Sequence, residues 1–300
     1  MKTYIGIDLG GTNVRVAKVA EDGTVIAQVK GPSYGTEGPE KVMGNLKEMV
    51  REIPGWNECA GIGVGVPGPV DTTVGTMVLS TNLVGFAGYP FAAELKKEFG
   101  MPAFLDNDAN VAGLAEAMVG AGKGKRIVVY TTISTGIGGV LVVDGKTVSG
   151  KHGFGGEVAN MIIDRNREKV NYLNVGAIEN EASGTAITRK GRAVFGEDAV
   201  PHAGVVFEKA AAGDEKARKI VSGMEEDLGQ MYATIACICD PDVFVIGGGM
   251  MKSADKFLPG VVENYKKFSH EAIRDTPFVI AQLEEPGVIG AAMLPKSAGL

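Results

Sequence analysis

The chain has 300 residues, of which 45% are hydrophobic and 22% are charged, and this composition is typical of a globular protein rather than a disordered one. Its net charge of −6 argues against a nucleic-acid partner, because a protein that neutralises phosphates needs a basic face. The longest uncharged stretch, residues 72–93, is interrupted by Pro90 and several glycines, and there are only three cysteines. We therefore expect a cytoplasmic protein with no membrane-spanning helix and no disulfide framework.

Short strands and glycine turns alternate in the first part of the chain. Residues 4–7 form a short apolar run, residues 14–19 alternate apolar and polar positions, and residues 24–29 are again mostly apolar. These patterns predict three strands joined by a glycine turn and by an Asp-Gly hairpin. Helical spacing and buried-type apolar runs predict the elements that follow. These are a helix at 39–53, a strand at 60–66, a helix at 91–99, a strand at 102–105 and a helix at 109–119.

The opening pattern occurs a second time. Residues 127–133 and 140–143 predict strands on either side of another glycine turn, and Asp144-Gly145 predicts the next hairpin. The recurrence indicates that a domain-sized unit has been duplicated. The remaining predicted elements are helices at 177–196, 204–238, 253–270 and 288–293, and a strand at 243–246 that ends in three glycines.

Three glycine-rich segments are candidates for binding phosphate or nucleotide, because glycine lets backbone N–H groups approach an anion closely. For any one of them, an ordinary hairpin or a tightly packed helix entry is the alternative. A carboxylate such as Asp8 can also hold Mg²⁺ that is bound to phosphate, directly or through water. The candidates are Asp8, Gly10, Gly11, Thr12 and Asn13; then Ser134, Thr135, Gly136 and Gly138; and then Gly247, Gly248 and Gly249.

Acidic residues at a predicted strand-to-helix junction form another candidate. Asp106 and Asp108 flank Asn107, and one of the two carboxylates could act as a general base. The alternative is that Asp106, Asn107 or Asp108 caps the helix that follows. The spacing leaves both interpretations open.

Together, these segments resemble the ROK family (repressors, open reading frames, kinases). The resemblance covers nearly the whole chain, and several motifs in one order are more specific than any single motif. It implies an α/β protein with the two-domain actin-like ATPase (ribonuclease H-like) fold and a duplicated βββαβα-type unit. The implied domains are residues 1–118 with the C-terminal helix 287–300, and residues 119–286. The motifs are residues 7–12, 65–71, 107–110, 135–139, 156–157, 246–249 and 289–292, together with Glu179 and residues 182–184.

The resemblance also implies a function, which is the ATP-dependent phosphorylation of a hexose at its C6 hydroxyl, with glucose expected first. Asp108 would be the general base, and the glycine segments would hold ATP with Mg²⁺ near Asp8. A homodimer is expected at the level of the family. The residues implied to bind the sugar are Asn82, Asn107, Glu157, Asn160 and Glu179.

One departure from the family pattern concerns its zinc motif. The four positions at which zinc ligands are expected hold Asn160, Val170, Tyr172 and Ala177, which cannot form a tetrahedral zinc site. We therefore expect no zinc, and we expect packing to hold segment 160–178 instead. Because the histidine replaced by Asn160 also contacts the sugar in the family, the choice of hexose stays open. The alternatives are an N-acetylglucosamine or N-acetylmannosamine kinase, a kinase for a non-sugar acid, and a sugar-binding sensor with little kinase activity.

Overall fold

The computed structural model describes residues 1–80 and 82–300, in which strands and helices follow the predicted mixed α/β order. No helix in these two ranges is both long enough and apolar enough to cross a membrane. The strands are β1 Thr3–Leu9, β2 Asn13–Ala20, β3 Val25–Pro32, β4 Ile62–Val66, β5 Val70–Asp71, β6 Thr76–Met77, β7 Ala103–Asn107, β8 Ile127–Ile133, β9 Ile137–Val143, β10 Lys146–Thr147, β11 Val243–Gly247 and β12 Phe278–Ile280. The helices are α1 Pro39–Glu52, α2 Phe91–Phe99, α3 Asp108–Met118, α4 Ile178–Ala182, α5 Gly184–Phe195, α6 Ala203–Ala211, α7 Glu215–Cys239, α8 Leu258–Phe268 and α9 Pro286–Ser297.

Two five-stranded sheets share one topology. The first has the order β3-β2-β1-β4-β7, and the second has the order β10-β9-β8-β11-β12. In the first sheet β1, β2 and β3 pair antiparallel, whereas β4 pairs parallel with both β1 and β7. In the second sheet β9 and β10 pair antiparallel, whereas β11 pairs parallel with both β8 and β12. The duplication predicted from the glycine turns is therefore confirmed.

The chain divides into two compact units. Unit 1 comprises Met1–Arg126, Val140–Gly156 and Ala281–Leu300, and unit 2 comprises Ile127–Gly139 and Glu157–Ile280. The domain boundaries that the family resemblance implies stay a prediction.

Glycines let helix α9 pack with its backbone close to the first sheet and to α3. A Cβ atom at Gly63 of β4 would lie 1.8 Å from the Ala291 carbonyl oxygen of α9. One at Gly290 would lie 1.6 Å from the carbonyl oxygen of Val111 in α3. Any side chain at these positions would push the helix outward, which explains part of the chain's high glycine content.

Several predicted helix boundaries were wrong. The helix predicted at 177–196 is two helices, because Ser183 adopts an extended conformation and its hydroxyl caps α5 by accepting a hydrogen bond from Ala186 N. The helix predicted at 204–238 is also interrupted, and Asp214 caps the second part, α7. The region predicted as one helix at 253–270 contains the end of a 3-10 helix, Gly249–Lys256, and then α8.

Candidate functional site

The first glycine turn joins β1 to β2 in unit 1. The Gly10 N–H donates to the carbonyl oxygen of Asn13 at 2.9 Å, which closes the turn around Gly11 and Thr12. A Cβ atom at Gly11 would lie 3.1 Å from the Cβ atom of Asn82, so Asn82 packs directly on this turn. Two candidates that are far apart in the sequence are thus neighbours within unit 1.

Asp8 is the second-last residue of β1 and lies beside the first turn of α9. Arg15 Nη1 lies 3.1 Å from Asp8 Oδ2, and a Cβ atom at Gly287 would lie 2.9 Å from Asp8 Cγ. Burial raises the pKa of Asp8, whereas Arg15 lowers it and Glu285 raises it slightly. The residue stays partly accessible, with 22% of its side chain exposed.

A single accessible carboxylate suits Mg²⁺ that arrives with a nucleotide, because this ion takes most of its oxygen ligands from phosphate and water. The described residues include no group of three or more histidine, cysteine or acidic side chains that could hold a metal ion by itself. Asp8 therefore fits a magnesium–nucleotide complex better than an ion held only by protein ligands.

The strand-to-helix junction of β7 and α3 carries the candidate base. Asn107 caps α3, because its Oδ1 accepts from Ala109 N at 2.8 Å and from Asn110 N at 3.3 Å. Asp108 is the first residue of the helix and is exposed at the surface of unit 1. The atoms around its carboxyl group displace enough water to raise its pKa, and the negative charge of Asp8 raises it further. A hydrogen bond from Ala109 N opposes this rise.

Asp106 is buried below this junction and holds it in place. Its Oδ1 accepts from Asn107 N at 2.8 Å and from Asn110 Nδ2 at 2.7 Å. Its Oδ2 accepts from the Thr147 hydroxyl at 2.8 Å and from the Ser149 hydroxyl at 3.3 Å. The sequence marked Asp106 only as one of two neighbouring carboxylates. Nothing in its spacing indicated that a segment 41 residues away would contribute two hydroxyl donors.

In unit 2, the second glycine turn contacts a predicted sugar-binding carboxylate. Glu179 Oε2 accepts a hydrogen bond from Ile137 N at 2.9 Å, at the start of β9. A Cβ atom at Gly136 would lie only 2.4 Å from the same oxygen, so a side chain at this position would displace the Glu179 carboxylate. Gly138, predicted to belong to the turn, lies inside β9.

The third glycine segment meets the second one. A Cβ atom at Gly248, where φ is +93°, would lie 2.4 Å from the Ile133 carbonyl oxygen. A Cβ atom at Gly249 would lie 3.3 Å from Ser134 Oγ. The segment that follows β11, after Gly247, therefore packs against the end of β8.

A pocket of about 990 Å³ opens in unit 2 where these segments meet. Ser134, Thr135 and Gly249 from the two glycine segments line it. Its size lies within the range that accommodates a nucleotide-sized ligand. The sequence did not single out the basic and aromatic residues of its wall, because they lie on helices with no motif of their own. These residues are Arg189, Arg192, Lys252, Lys256 and Phe207.

The other predicted sugar-binding residues of unit 2 lie around a loop. Glu157 directly precedes the 3-10 helix Val158–Asn160, and Asn160 Oδ1 accepts a hydrogen bond from Asn174 N at 2.7 Å. Of the remaining positions where the family pattern has zinc ligands, Val170 and Tyr172 are exposed, whereas Ala177 is fully buried. A valine, a phenol, a methyl group and an amide do not fit a tetrahedral zinc ion.

Comparison with known proteins finds relatives over nearly the whole chain. The profile of the ROK family matches residues 4–298. A glucokinase of Thermotoga maritima is 31% identical, over 97% of this chain and 96% of its own length. An N-acetylmannosamine kinase of Escherichia coli O127:H6 is 26% identical, over 99% of this chain and 100% of its own length.

Solved structures show the same fold. The ROK hexokinase of Thermus thermophilus has a TM-score of 0.84 and 30% identity, with 97% of each chain covered. A ROK family glucokinase of Streptomyces griseus, in complex with glucose and AMPPNP, has a TM-score of 0.73 and 25% identity, covering 97% of this chain and 98% of that one. The expected actin-like ATPase fold is thereby confirmed, and this chain belongs to the ROK family.

Proposed function

We propose that this protein is a sugar kinase that transfers the γ-phosphoryl group of ATP to the C6 hydroxyl of a hexose, with glucose as the first substrate to test. The observation that carries the proposal is the unit 2 pocket, where Ser134, Thr135 and Gly249 come together beside basic side chains. The kinases among the relatives, and the AMPPNP complex of the Streptomyces griseus glucokinase, support ATP as the donor.

ATP is the ligand that this pocket suits chemically. Lys252 and Lys256 supply positive charge for a polyphosphate, and Phe207 supplies an apolar wall for a base. In unit 1, Gly10 and Gly11 form the other close-approach turn for phosphate oxygens. Asp8 would hold Mg²⁺, directly or through water, and such an ion would supply positive charge for the phosphates.

Asp108 accepts the proton of the acceptor hydroxyl. As the hexose O6 attacks the γ-phosphorus, the new O6–P bond forms and the bond to the β,γ-bridging oxygen breaks. The O6 proton moves to Asp108, and ADP leaves with the bonding electrons. Because its pKa is raised, Asp108 is a stronger base than an ordinary aspartate.

The sugar hydroxyls are recognised by groups that already have fixed positions. In unit 2, Glu179 is held by Ile137 N, and Asn160 is held by Asn174 N. We assign Glu157 and Asn82 to the same task. Asn107 uses its Oδ1 to cap α3 and donates from Nδ2 to the Gly68 carbonyl oxygen, so its contribution to the sugar rests on the remaining amide hydrogen.

An N-acetylhexosamine is the second candidate substrate. The similarity to an N-acetylmannosamine kinase favours it, as does an amide, Asn160, at a position where the family pattern has histidine. A sensor with little kinase activity is disfavoured because Asp8, Asp108 and both glycine turns are retained. We also propose a homodimer, which the family resemblance implies, and a cytoplasmic location, which the low cysteine content indicates.

A coupled assay of ADP release tests the proposed function. Purified protein with Mg²⁺ and ATP is offered glucose, mannose, fructose, N-acetylglucosamine, N-acetylmannosamine and a sugar acid in parallel. We expect ADP release that depends on a neutral hexose and is fastest with glucose. Selective use of an N-acetylhexosamine would favour the second candidate, and no sugar-dependent release at all would refute both.

A further inference from the structure

Four charged side chains join the loop of residues 161–177 to helices of unit 2. We call them the Arg167 cluster, and they are Arg167, Glu181, Asp227 and Lys190. Arg167 donates from both terminal nitrogens to the two carboxylate oxygens of Asp227 in α7, at 2.7 and 2.6 Å. Its Nη1 also lies 2.9 Å from Glu181 Oε2, in α4. Lys190 of α5 donates to this same oxygen at 2.8 Å.

The two carboxylates of the cluster are deeply buried. Only 5% of the Asp227 side chain and 8% of the Glu181 side chain are exposed. Buried carboxylates are costly unless cations and hydrogen bonds compensate them, and here Arg167 and Lys190 do so. Asp227 raises the pKa of Arg167, so the guanidinium stays charged at every working pH. The paired geometry is the strong, directional type that a planar guanidinium forms with a carboxylate.

Few hydrophobic side chains of the loop are buried. Between residues 161 and 176, Leu173 is the single hydrophobic side chain in the described structure that is buried. Ala177 and Ile178, at the end of the segment 160–178 for which we expected packing, are also fully buried, so apolar packing holds that end. Most of the contacts that hold the rest of the segment are polar. They are Ile163 N to Gly176 O and Ile178 N to Met161 O, both at 2.8 Å; Gln230 Nε2 to Ile163 O at 3.1 Å; and Asn180 Nδ2 to Asn171 Oδ1 at 2.9 Å.

We propose that the Arg167 cluster anchors this loop and so takes the place of the zinc ion that the family pattern implies there. We also propose that Arg167 is a positioning residue for the sugar-binding groups next to the loop. Glu157 and Asn160 precede the loop, and Glu179 follows it. Glu181, two residues after Glu179 in α4, fixes that helix to Arg167. The positioning part rests on the proposed function, whereas the anchoring part does not.

The test compares Arg167→Met and Arg167→Lys with Arg165→Met. Arg165 is an exposed arginine in the same loop, so its replacement is matched in residue type and position. Three measurements are made on the full-length protein: amide hydrogen exchange of residues 160–178, the zinc content and Tm before and after treatment with EDTA, and KM for the hexose and for ATP. The first two are independent of kinase activity.

We expect the wild type to contain no stoichiometric zinc and to keep its Tm after EDTA treatment. In Arg167→Met, exchange at 160–178 should accelerate and KM for the hexose should rise about tenfold or more, because small misplacements of binding groups are costly. KM for ATP should change by less than about threefold, since the nucleotide pocket lies on other residues. Arg167→Lys should fall between Arg167→Met and the wild type, and Arg165→Met should match the wild type.

Several results would overturn the proposal. One zinc ion per chain together with a fall in Tm in EDTA would contradict anchoring by the cluster. Wild-type exchange in Arg167→Met would do the same. Faster exchange with an unchanged KM for the hexose would refute the positioning role. If Arg167→Met does not fold, Arg167→Lys decides by the same criteria. If no hexose is phosphorylated by the wild type, the proposed function fails, and exchange and zinc content still decide the anchoring role.

Discussion

The buried carboxylate of Asp106 should determine the stability of the junction that carries Asp108. In Asp106→Ala, Asn107 N and the amide of Asn110 both lose their acceptor, and Asn110 is only 4% exposed. An unsatisfied buried donor costs about 1–3 kcal/mol, so the free energy of unfolding should fall by about 2–6 kcal/mol. Asp106→Asn keeps an acceptor oxygen, and its new NH₂ group can donate to the Thr147 hydroxyl, which is able to reverse its role.

The pH dependence of stability separates the wild type from both variants, because only the wild type has an ionisable group at position 106. Burial raises the pKa of Asp106 in the folded state. The folded state therefore holds the proton to a higher pH than the unfolded chain does, and stability falls as the pH rises from the ordinary aspartate pKa through the raised one. Asparagine does not ionise, so Asp106→Asn avoids the loss of stability that a buried charged carboxylate causes at pH 7. We expect Asp106→Asn to lie within about 1 kcal/mol of the wild type at pH 7.

Urea unfolding followed by tryptophan fluorescence measures this effect in unit 1. Trp56 is the only tryptophan of the chain and lies in unit 1. The ring centroids of Trp56 and Phe99 are 5.3 Å apart. The reasoning would be refuted if Asp106→Ala unfolded within about 0.5 kcal/mol of the wild type, a size that is ordinary for surface changes. It would also be refuted if Asp106→Asn were as destabilised as Asp106→Ala.

Three further predictions concern catalysis and the glycine turns. Asp108→Asn should lower kcat by about 10²–10⁴-fold while calorimetry still detects sugar binding, and a kcat close to that of the wild type would contradict its role as the base. In the wild type, kcat/KM should fall as the pH drops through the raised pKa of Asp108, at a higher pH than for an ordinary aspartate; a pH profile without that acidic limb would argue against this assignment. Gly136→Ala should raise KM for the hexose about tenfold, because its Cβ atom would lie 2.4 Å from the Glu179 carboxylate. Gly44→Ala is the control, since a Cβ atom at Gly44 meets nothing within 4 Å, and equal kinetics in both variants would count against the Glu179 contact.

The duplicated sheet topology was predictable because it is encoded locally. Short apolar runs or alternating apolar residues specify most strands, and glycine turns in equivalent places specify where the chain reverses. Helix ends were less predictable. The apolar pattern continues through Ser183, so only the capping hydrogen bond to Ala186 N reveals the break. Strand β12 was missed because it has only three residues and pairs with a single partner strand, β11.

The candidate site shows the same contrast between local and long-range information. Asp8 and Asp108 were marked by the motifs around them, whereas some of the charges that shift their pKa values come from distant segments, Glu285 for Asp8 and Asp8 for Asp108. Arg167 and Asp227 are 60 residues apart, and a loop arginine has no periodic pattern that indicates its partner. The helix-cap alternative holds for Asn107, and Asp108 lies next to it as an exposed carboxylate. Sequence spacing could not assign these two roles.

The measurement that tests the central claim most directly is hexose-dependent ADP release by the wild type and by Asp108→Asn, assayed side by side at saturating ATP and Mg²⁺. The account predicts rapid ADP release by the wild type only when a hexose is present, with the phosphate on O6 of the product, and almost none by the variant although it still binds the sugar. ADP release that ignores the sugar, or a variant as fast as the wild type, would contradict the account.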